Sequence, residues 1–132
     1  MIKYLALLLL SGFYCTSQTP SPVTKIETSY QNCLDKGKNR KACAYKYYIK
    51  ADSLLNATYK NLKLKLSTQE FSQLKKEHQM WLLKRDIYFK VAYDEVKADK
   101  SIVDGSDDFI LLYTDKKSQF VLARANVLLN RL

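Results

Sequence analysis

Residues 44–66 read AYKYYIKADSLLNATYKNLKLKL, a stretch without glycine or proline that decides the fold. Its apolar positions are separated by three or four residues, in the order Ala44, Tyr48, Ala51, Leu55, Tyr59, Leu62 and Leu66. Such spacing places them along one face of an α-helix, where they can pack against neighbouring helices. We therefore predict a long amphipathic second helix from about Asn39 to Leu66.

A third helix is predicted to begin directly after this stretch. Ser67 precedes Glu70 by three positions, which is the pattern of a capping box at a helix start. The helix should run to about Ala98. Its inward seam is predicted to consist of Phe71, Leu74, His78, Trp81, Arg85, Tyr88 and Ala92.

Two further helices are predicted on either side of this pair. A short first helix spans 26–36 and ends at Gly37, and a fourth begins at Ser106 and runs to near Asn130. The residues of the fourth helix predicted to point inward are Phe109, Leu112, Tyr113, Phe120, Ala123 and Val127. Short connections between long helices make antiparallel neighbours, and no segment alternates with period two. The expected fold is therefore an all-α, small antiparallel bundle of about four helices.

Composition limits the number of domains and the kinds of site. The 132 residues allow one domain, and lysine and arginine total 22 against 13 acidic residues, for a formal net charge of +9. This excess bears on solubility and partners rather than on the fold. One histidine and three cysteines are too few for a zinc finger or an iron–sulfur centre, so we expect no metal and no cofactor.

Residues 1–17 are predicted to be a signal peptide. A cationic start, Met1-Ile2-Lys3, precedes a leucine-rich apolar run over residues 4–14. As a helix this run would rise about 16 Å, which is too short to cross about 30 Å of hydrocarbon. Cleavage after Ser17 would yield a secreted or periplasmic protein without a transmembrane segment.

A lipoprotein signal is the alternative, in which an acylated Cys15 anchors the protein to a membrane. Such a site prefers small residues just before the cysteine, whereas Phe13 and Tyr14 are bulky. Behind the signal peptide, residues 18–25 contain two prolines and several hydroxyl side chains, and we predict a flexible tether there. Residues 26–132 would form the helical domain.

Removal of the signal peptide also removes Lys3 and Cys15, which leaves a net charge of +8 and one pair of cysteines, Cys33 and Cys43. In an exported protein an even pair is typical of a disulfide. Two reduced structural cysteines are the alternative, and the spacing is not that of a redox-active Cys-x-x-Cys pair.

An ordered set of residues resembles the LprI-like family, small exported bacterial proteins named for a lysozyme inhibitor. The set comprises Cys33 and Cys43, then Leu55, Asn56, Tyr59 and Leu62, then Trp81, Arg85 and Asp86, then Gly105 and Ser106, and finally Arg124. The resemblance covers about residues 30–132 and implies a helical binding protein. Two departures stand out: His78 occupies a position where the family usually has Gln, and Phe89 occupies one expected position of a second cysteine pair.

These motif residues are predicted to have structural roles. Leu55, Tyr59 and Trp81 should belong to the core, because large apolar side chains hold a small bundle together. Arg85 lies on the apolar seam and needs a carboxylate or helix-terminal carbonyls as partners, so we predict a structural clamp, with a ligand-facing role as the alternative. Asp86 would pair with Lys90. Asn56 would bond across helices, and His78 should be a seam residue rather than a ligand.

No motif of catalysis is evident. The single histidine has no serine or cysteine at a strand–helix elbow, glycine-rich phosphate loops are absent, and the carboxylates are scattered. We therefore expect no enzyme. An exported enzyme remains a third hypothesis, which would require a deep pocket with convergent polar groups.

The positive charge is concentrated in residues 36–41, here called the basic loop, which contains Lys36, Lys38, Arg40 and Lys41. A solvated face that keeps the protein soluble is one interpretation. The other is a partner-binding surface that places a cation between the acidic residues of a lysozyme-type muramidase. The alternative partner is an anionic envelope polymer or phospholipid headgroup, bound by a domain without activity on lysozyme. Nucleic acid is not expected.

Overall fold

The structure is a computed structural model that describes residues 19–132. Four α-helices follow one another: α1 (Pro22–Asp35), α2 (Arg40–Lys65), α3 (Thr68–Ala98) and α4 (Asp107–Leu129). Of the described residues, 82% are helical and none belongs to a strand. The predicted all-α bundle is thereby confirmed. The predicted signal peptide and Cys15 lie outside the described residues.

The first helix begins earlier than predicted. Ser21 caps it, because its Oγ accepts a hydrogen bond from the backbone N–H of Thr24 at 3.1 Å. Pro22 occupies the first helical position, where its missing N–H is not needed and its fixed φ suits the helix. Residues 22–25, predicted as part of the tether, therefore form the first turn of α1.

The remaining helix ends agree with the sequence to within a residue or two because they carry their own caps. The capping box is confirmed: Glu70 N–H donates to Ser67 Oγ at 3.3 Å, and Ser67 N–H donates to Glu70 Oε2 at 2.9 Å. Ser106 Oγ accepts from the N–H of Phe109 at 3.2 Å. Gly105 just before it has a φ of +74°, a left-handed conformation that glycine adopts without a steric penalty.

Helices α2 and α4 form the main contact of the bundle, and α1 and α3 pack on this pair. The two helices carry several small side chains that are almost completely buried: Ala44, Ala51, Thr58, Ser118 and Ala125. The two hydroxyl groups do not need a partner from another helix. Thr58 Oγ1 donates to Leu54 O, and Ser118 Oγ donates to Thr114 O, both at 2.7 Å. Small residues therefore let α2 and α4 lie side by side without unsatisfied hydroxyls.

The predicted inward face of α4 is wrong in part. Phe109 is buried and Tyr113 and Phe120 are partly buried, as expected, but Leu112, Ala123 and Val127 are exposed. The buried residues of α4 are Phe109, Leu111, Thr114, Ser118, Val121, Leu122, Ala125 and Leu128. A search for apolar positions alone missed this face because hydroxyl residues form two of its central positions.

Helix α3 is attached mainly through half-buried aromatic side chains. It contributes only three buried residues, Leu74, Ala92 and Val96, although it is the longest helix. Its predicted seam is confirmed, since none of the seven seam residues is exposed. No described helix contains an apolar stretch sufficient to cross a membrane.

Candidate functional site

The disulfide fixes one end of the basic loop. Cys33 and Cys43 are bonded, with Cα atoms 5.8 Å apart, so the bridge ties the end of α1 to the first turn of α2. Beside it, the rings of Tyr30 and Tyr47 stack with centroids 4.2 Å apart and planes at 7°. Burial raises the pKa of Tyr47 to about 12, so its hydroxyl stays neutral at physiological pH.

The four cations of the basic loop are not equivalent. Lys36, Lys38 and Arg40 are exposed, whereas Lys41 donates through Nζ to Asp107 Oδ1 at 2.6 Å. That hydrogen bond and the charge of Asp107 raise the pKa of Lys41. The contact joins the start of α2 to the first turn of α4. Residues 36–40 are therefore held between a covalent bond on one side and an ion pair on the other.

An open groove of about 560 Å³ adjoins the disulfide on the outer side of α1. Three lysines line it, Lys25, Lys36 and Lys46, together with hydroxyl and amide side chains including Thr28 and Asn32. Lysine and amide groups of this kind favour anionic or strongly polar groups of a partner. The groove extends the positive surface of the basic loop along α1.

The acidic residues are distributed unevenly between the two ends of the bundle. Near the basic loop, the connection between α3 and α4 contains Asp99 and Asp104, and the first turn of α4 contains Asp107 and Asp108. The opposite end, where α2 turns into α3, carries the exposed lysines Lys60, Lys63, Lys65, Lys75 and Lys76. Its two acidic residues are engaged, Glu70 in the capping box and Glu77 with Arg131 at 2.8 Å. Positive charge is therefore least compensated at the α2–α3 end.

Five motif residues meet around Trp81, and we call them the Trp81 cluster: Tyr59, His78, Trp81, Arg85 and Arg124. The ring of His78 lies between Tyr59, 4.5 Å away, and Trp81, 5.5 Å away. The guanidinium carbons of Arg85 and Arg124 lie 6.0 Å and 5.9 Å from the Trp81 ring centroid. The cluster thus joins α2, α3 and α4 through stacking and cation–π contacts.

Arg85 has a carboxylate partner, as predicted, and this partner is the adjacent residue Asp86. Its Nε and Nη2 donate to Asp86 Oδ1 at 2.9 Å and 2.7 Å, while the guanidinium also lies over Phe89. The prediction that Asp86 pairs with Lys90 is therefore wrong. Arg85 lies at the margin of the seam, with its side chain 29% exposed, so the adjacent carboxylate can reach it from the helix surface.

Arg124 and His78 contain the least satisfied polar atoms of the cluster. Arg124 Nε and Nη2 and His78 Nδ1 are buried without a hydrogen-bond partner among residues 19–132. Burial is the main cause that lowers the pKa of His78, and the charges of Arg124 and Arg85 lower it further. Burial and the two nearby guanidinium groups therefore favour the neutral imidazole.

The other motif residues lie outside the Trp81 cluster. Leu55 and Leu62 are buried in the main core, and Gly105 supplies the turn before α4. Asn56 is exposed and donates through Nδ2 to Asp52 Oδ2 at 3.1 Å. Because Asp52 is one turn earlier on the same helix, the prediction of a bond across helices is wrong.

Lys117 is a feature that we did not predict. Its Nζ lies 4.7 Å from the ring centroid of Tyr48, 4.8 Å from that of Tyr113 and 5.4 Å from that of Phe89. Burial lowers the pKa of this amine. A signal existed in the sequence, since Lys117 lies four residues after Tyr113 and three before Phe120, on the inward side of α4.

Groups for metal binding are not found in the described part of the chain. Residues 19–132 contain no group of three or more histidine, cysteine, aspartate or glutamate side chains placed to hold an ion. What the structure offers a partner is a pre-formed cationic loop, a polar groove beside it, and the lysine-rich α2–α3 end.

Comparison with known proteins gives a family match that agrees with the resemblance. The family model described as lysozyme inhibitor LprI matches residues 32–128. The match includes both disulfide cysteines and every residue of the Trp81 cluster. No curated protein and no solved structure matches the chain.

Proposed function

This chain belongs to the lysozyme inhibitor LprI family, and we propose that it binds a lysozyme-type muramidase and blocks it. Family membership supports an inhibitor-like, non-catalytic role. Muramidases use a pair of carboxylates in a cleft, and a cation inserted between them would occupy the place of the substrate. The cationic surface that is best prepared for such a cleft is the basic loop.

The observation that carries the proposal is that the basic loop is restrained at both sides. The Cys33–Cys43 bond and the Lys41–Asp107 contact hold the segment that presents Lys36, Lys38 and Arg40. A loop that is already ordered loses less conformational entropy when it binds, so more of its contact energy appears as affinity. In this proposal Lys36, Lys38 and Arg40 touch the enzyme, and Lys41 positions them.

Export belongs to the same proposal. Residues 1–17 carry the pattern of a signal peptide, and a disulfide is typical of oxidising compartments outside the cytosol. The protein would act as a secreted or periplasmic inhibitor, or as a lipoprotein if Cys15 is acylated. Mass spectrometry of the exported form distinguishes these, because acylation adds the lipid mass to a chain that begins at Cys15.

The test is a turbidity assay of cell-wall lysis by a purified lysozyme. The wild-type protein should slow lysis at micromolar concentration, and the variant with Lys36→Ala, Lys38→Ala and Arg40→Ala should lose about tenfold or more in potency. The matched control replaces Lys60, Lys63 and Lys75 by alanine, which removes the same charge from the other end of the bundle. The assay belongs at physiological salt, because many lysozymes are basic and would repel a positively charged protein at long range.

Two results would refute this assignment. Absence of any slowing by the wild-type protein would remove lysozyme inhibition. Equal loss of potency in the loop variant and the control would show that overall charge, rather than the restrained loop, determines the effect.

A second candidate function is binding of an anionic envelope polymer, and the uncompensated lysines at the α2–α3 end favour it. Binding would then weaken steeply with added salt, because it depends on charge neutralisation. In this case the variant with Lys60→Ala, Lys63→Ala and Lys75→Ala should lose polymer binding, and the loop variant should retain most of it.

A further inference from the structure

The side of α3 that faces away from the bundle carries a continuous apolar stripe, which consists of Met80, Leu83, Ile87 and Val91. These residues are 58%, 59%, 66% and 46% exposed. Their separations of three, four and four residues place them along one line of the helix. The stripe extends about 16 Å, at 1.5 Å per residue.

No described element covers this stripe. α3 packs on α4 through its opposite side, which includes Leu74, Ala92 and Val96. A helix that is apolar on both its inward and its outward side has a second surface to bury. Single exposed apolar residues are ordinary on a protein surface, but four in a row on one helix mark an interaction surface.

Three lysines without an ion-pair partner among residues 19–132 flank the stripe. Lys76, Lys84 and Lys90 are all exposed, and none of them takes part in an ion pair within residues 19–132. Four acidic residues of α3 lie within three or four positions of the stripe. Glu77, Asp86 and Glu95 pair with Arg131, Arg85 and Lys116, and Asp94 follows the stripe near the end of the helix. A partner that complements this face combines an apolar layer with negative charge.

We propose that the outer face of α3 docks on a membrane surface that contains anionic phospholipids. A helix with an apolar stripe bordered by lysines lies in the plane of the interface, with its apolar side chains between the acyl chains and its amines at the headgroups. A second copy of this chain fits the face less well, since it would bring the same lysines together around the contact. The docking is peripheral, and it is independent of the basic loop and of lysozyme binding.

The experiment measures partition of the chain from Gln18 onward into vesicles by co-sedimentation. This chain includes all core residues that the structure describes. Phosphatidylcholine vesicles are compared with vesicles that also contain phosphatidylglycerol. The wild type should bind the anionic vesicles, and the double variant Leu83→Asp, Ile87→Asp should bind them about tenfold less or weaker. The matched control is Leu64→Asp, Val103→Asp, because these side chains are 79% and 75% exposed and the charge change is identical. The control should stay within about threefold of the wild type.

Several outcomes would overturn the proposal. These are absence of binding by the wild type, equal binding to purely zwitterionic vesicles, or equal losses in the two double variants. A wild-type dimer in light scattering that the Leu83→Asp, Ile87→Asp variant dissociates would assign the face to a second copy instead. Because the replaced side chains are exposed, all variants should fold. Circular dichroism checks this.

Discussion

The ring of His78 stacks on that of Trp81, with centroids 5.5 Å apart and planes at 19°. On the same indole lie the guanidinium groups of Arg85 and Arg124. The imidazole is therefore surrounded by apolar rings and positive charge, and both disfavour its protonated form. Burial and these two arginines lower the pKa of His78 below its ordinary value of 6.5.

This pKa shift predicts a loss of stability in mild acid. The unfolded chain takes up a proton at His78 near pH 6.5, whereas the folded chain does so only at lower pH. The contribution is therefore fully present above pH 6.5 and is lost as the pH falls toward the folded pKa. His78→Gln should flatten the fall of the urea midpoint between about pH 7.5 and about pH 5. An equally steep fall in the variant would contradict this assignment.

The disulfide should contribute measurably to stability. Replacing both Cys33 and Cys43 by serine opens a loop with a sequence separation of 10 residues. The expected decrease in the free energy of unfolding is about 2–3 kcal/mol, because the unfolded chain gains conformational freedom. Urea denaturation measures it, with reduced wild-type protein as the control. Thiol titration of the non-reduced protein should find neither sulfhydryl of this pair free, and two free thiols would disprove the bond.

The positive charge of Lys117 should not be needed for the stability of the fold. Lys117→Met keeps a long side chain among Tyr48, Phe89 and Tyr113 and removes a half-buried amine, whose pKa is lowered by desolvation. We expect the variant to unfold at an equal or higher urea concentration at neutral pH. Because the shift disfavours the charged amine, the difference should shrink as the pH rises toward 10.5, the ordinary pKa of lysine. A variant less stable by more than about 1 kcal/mol would show that the cation–π contacts dominate.

Two leucines on α4 test the corrected inward face of that helix. Leu122 is 3% exposed, whereas Leu112, predicted to be inward, is 41% exposed. Leu122→Ala should lower the free energy of unfolding by about 2–5 kcal/mol, because it leaves a cavity in the core. Leu112→Ala should lower it by less than about 1 kcal/mol. Thermal or urea unfolding of the two variants decides this, and equal losses would contradict the burial pattern.

The helical fold could be predicted because the relevant signals are local. Apolar spacing defined the seams of α2 and α3, and Ser67 and Ser106 marked two helix starts within a residue. The start of α1 differs from the prediction because Ser21 and Pro22 belong to a segment whose composition is typical of a tether, whereas they form the cap and the first turn of the helix. The predicted face of α4 is wrong in part because Thr114 and Ser118 are buried although they are polar, which a hydrophobicity pattern does not register. The hydroxyl of Ser118 is satisfied within its own helix, by the carbonyl of Thr114.

The candidate site could be predicted only in part because it depends on how distant segments meet. The motif includes Tyr59, Trp81 and Arg124. It does not indicate that the guanidinium group of Arg124 lies over the ring of Trp81. Likewise, the basic loop was evident, whereas its contact with Asp107 joins residues 66 positions apart. The excess of lysine at the α2–α3 end depends on the fold, which brings Asp99, Asp104, Asp107 and Asp108 to the other end of the bundle.

The tight contact between α2 and α4 limits which substitutions the domain can accept. Ala51 and Ala125 have no exposed surface, so a larger side chain at either position would force the two helices apart. Where α2 meets α3, rings such as Tyr48 and Phe89 fill a looser junction that can be repacked with other shapes. Substitutions that accumulate in evolution should therefore change the tilt of α3 and the position of its outer face. The distance between α2 and α4 should stay constant.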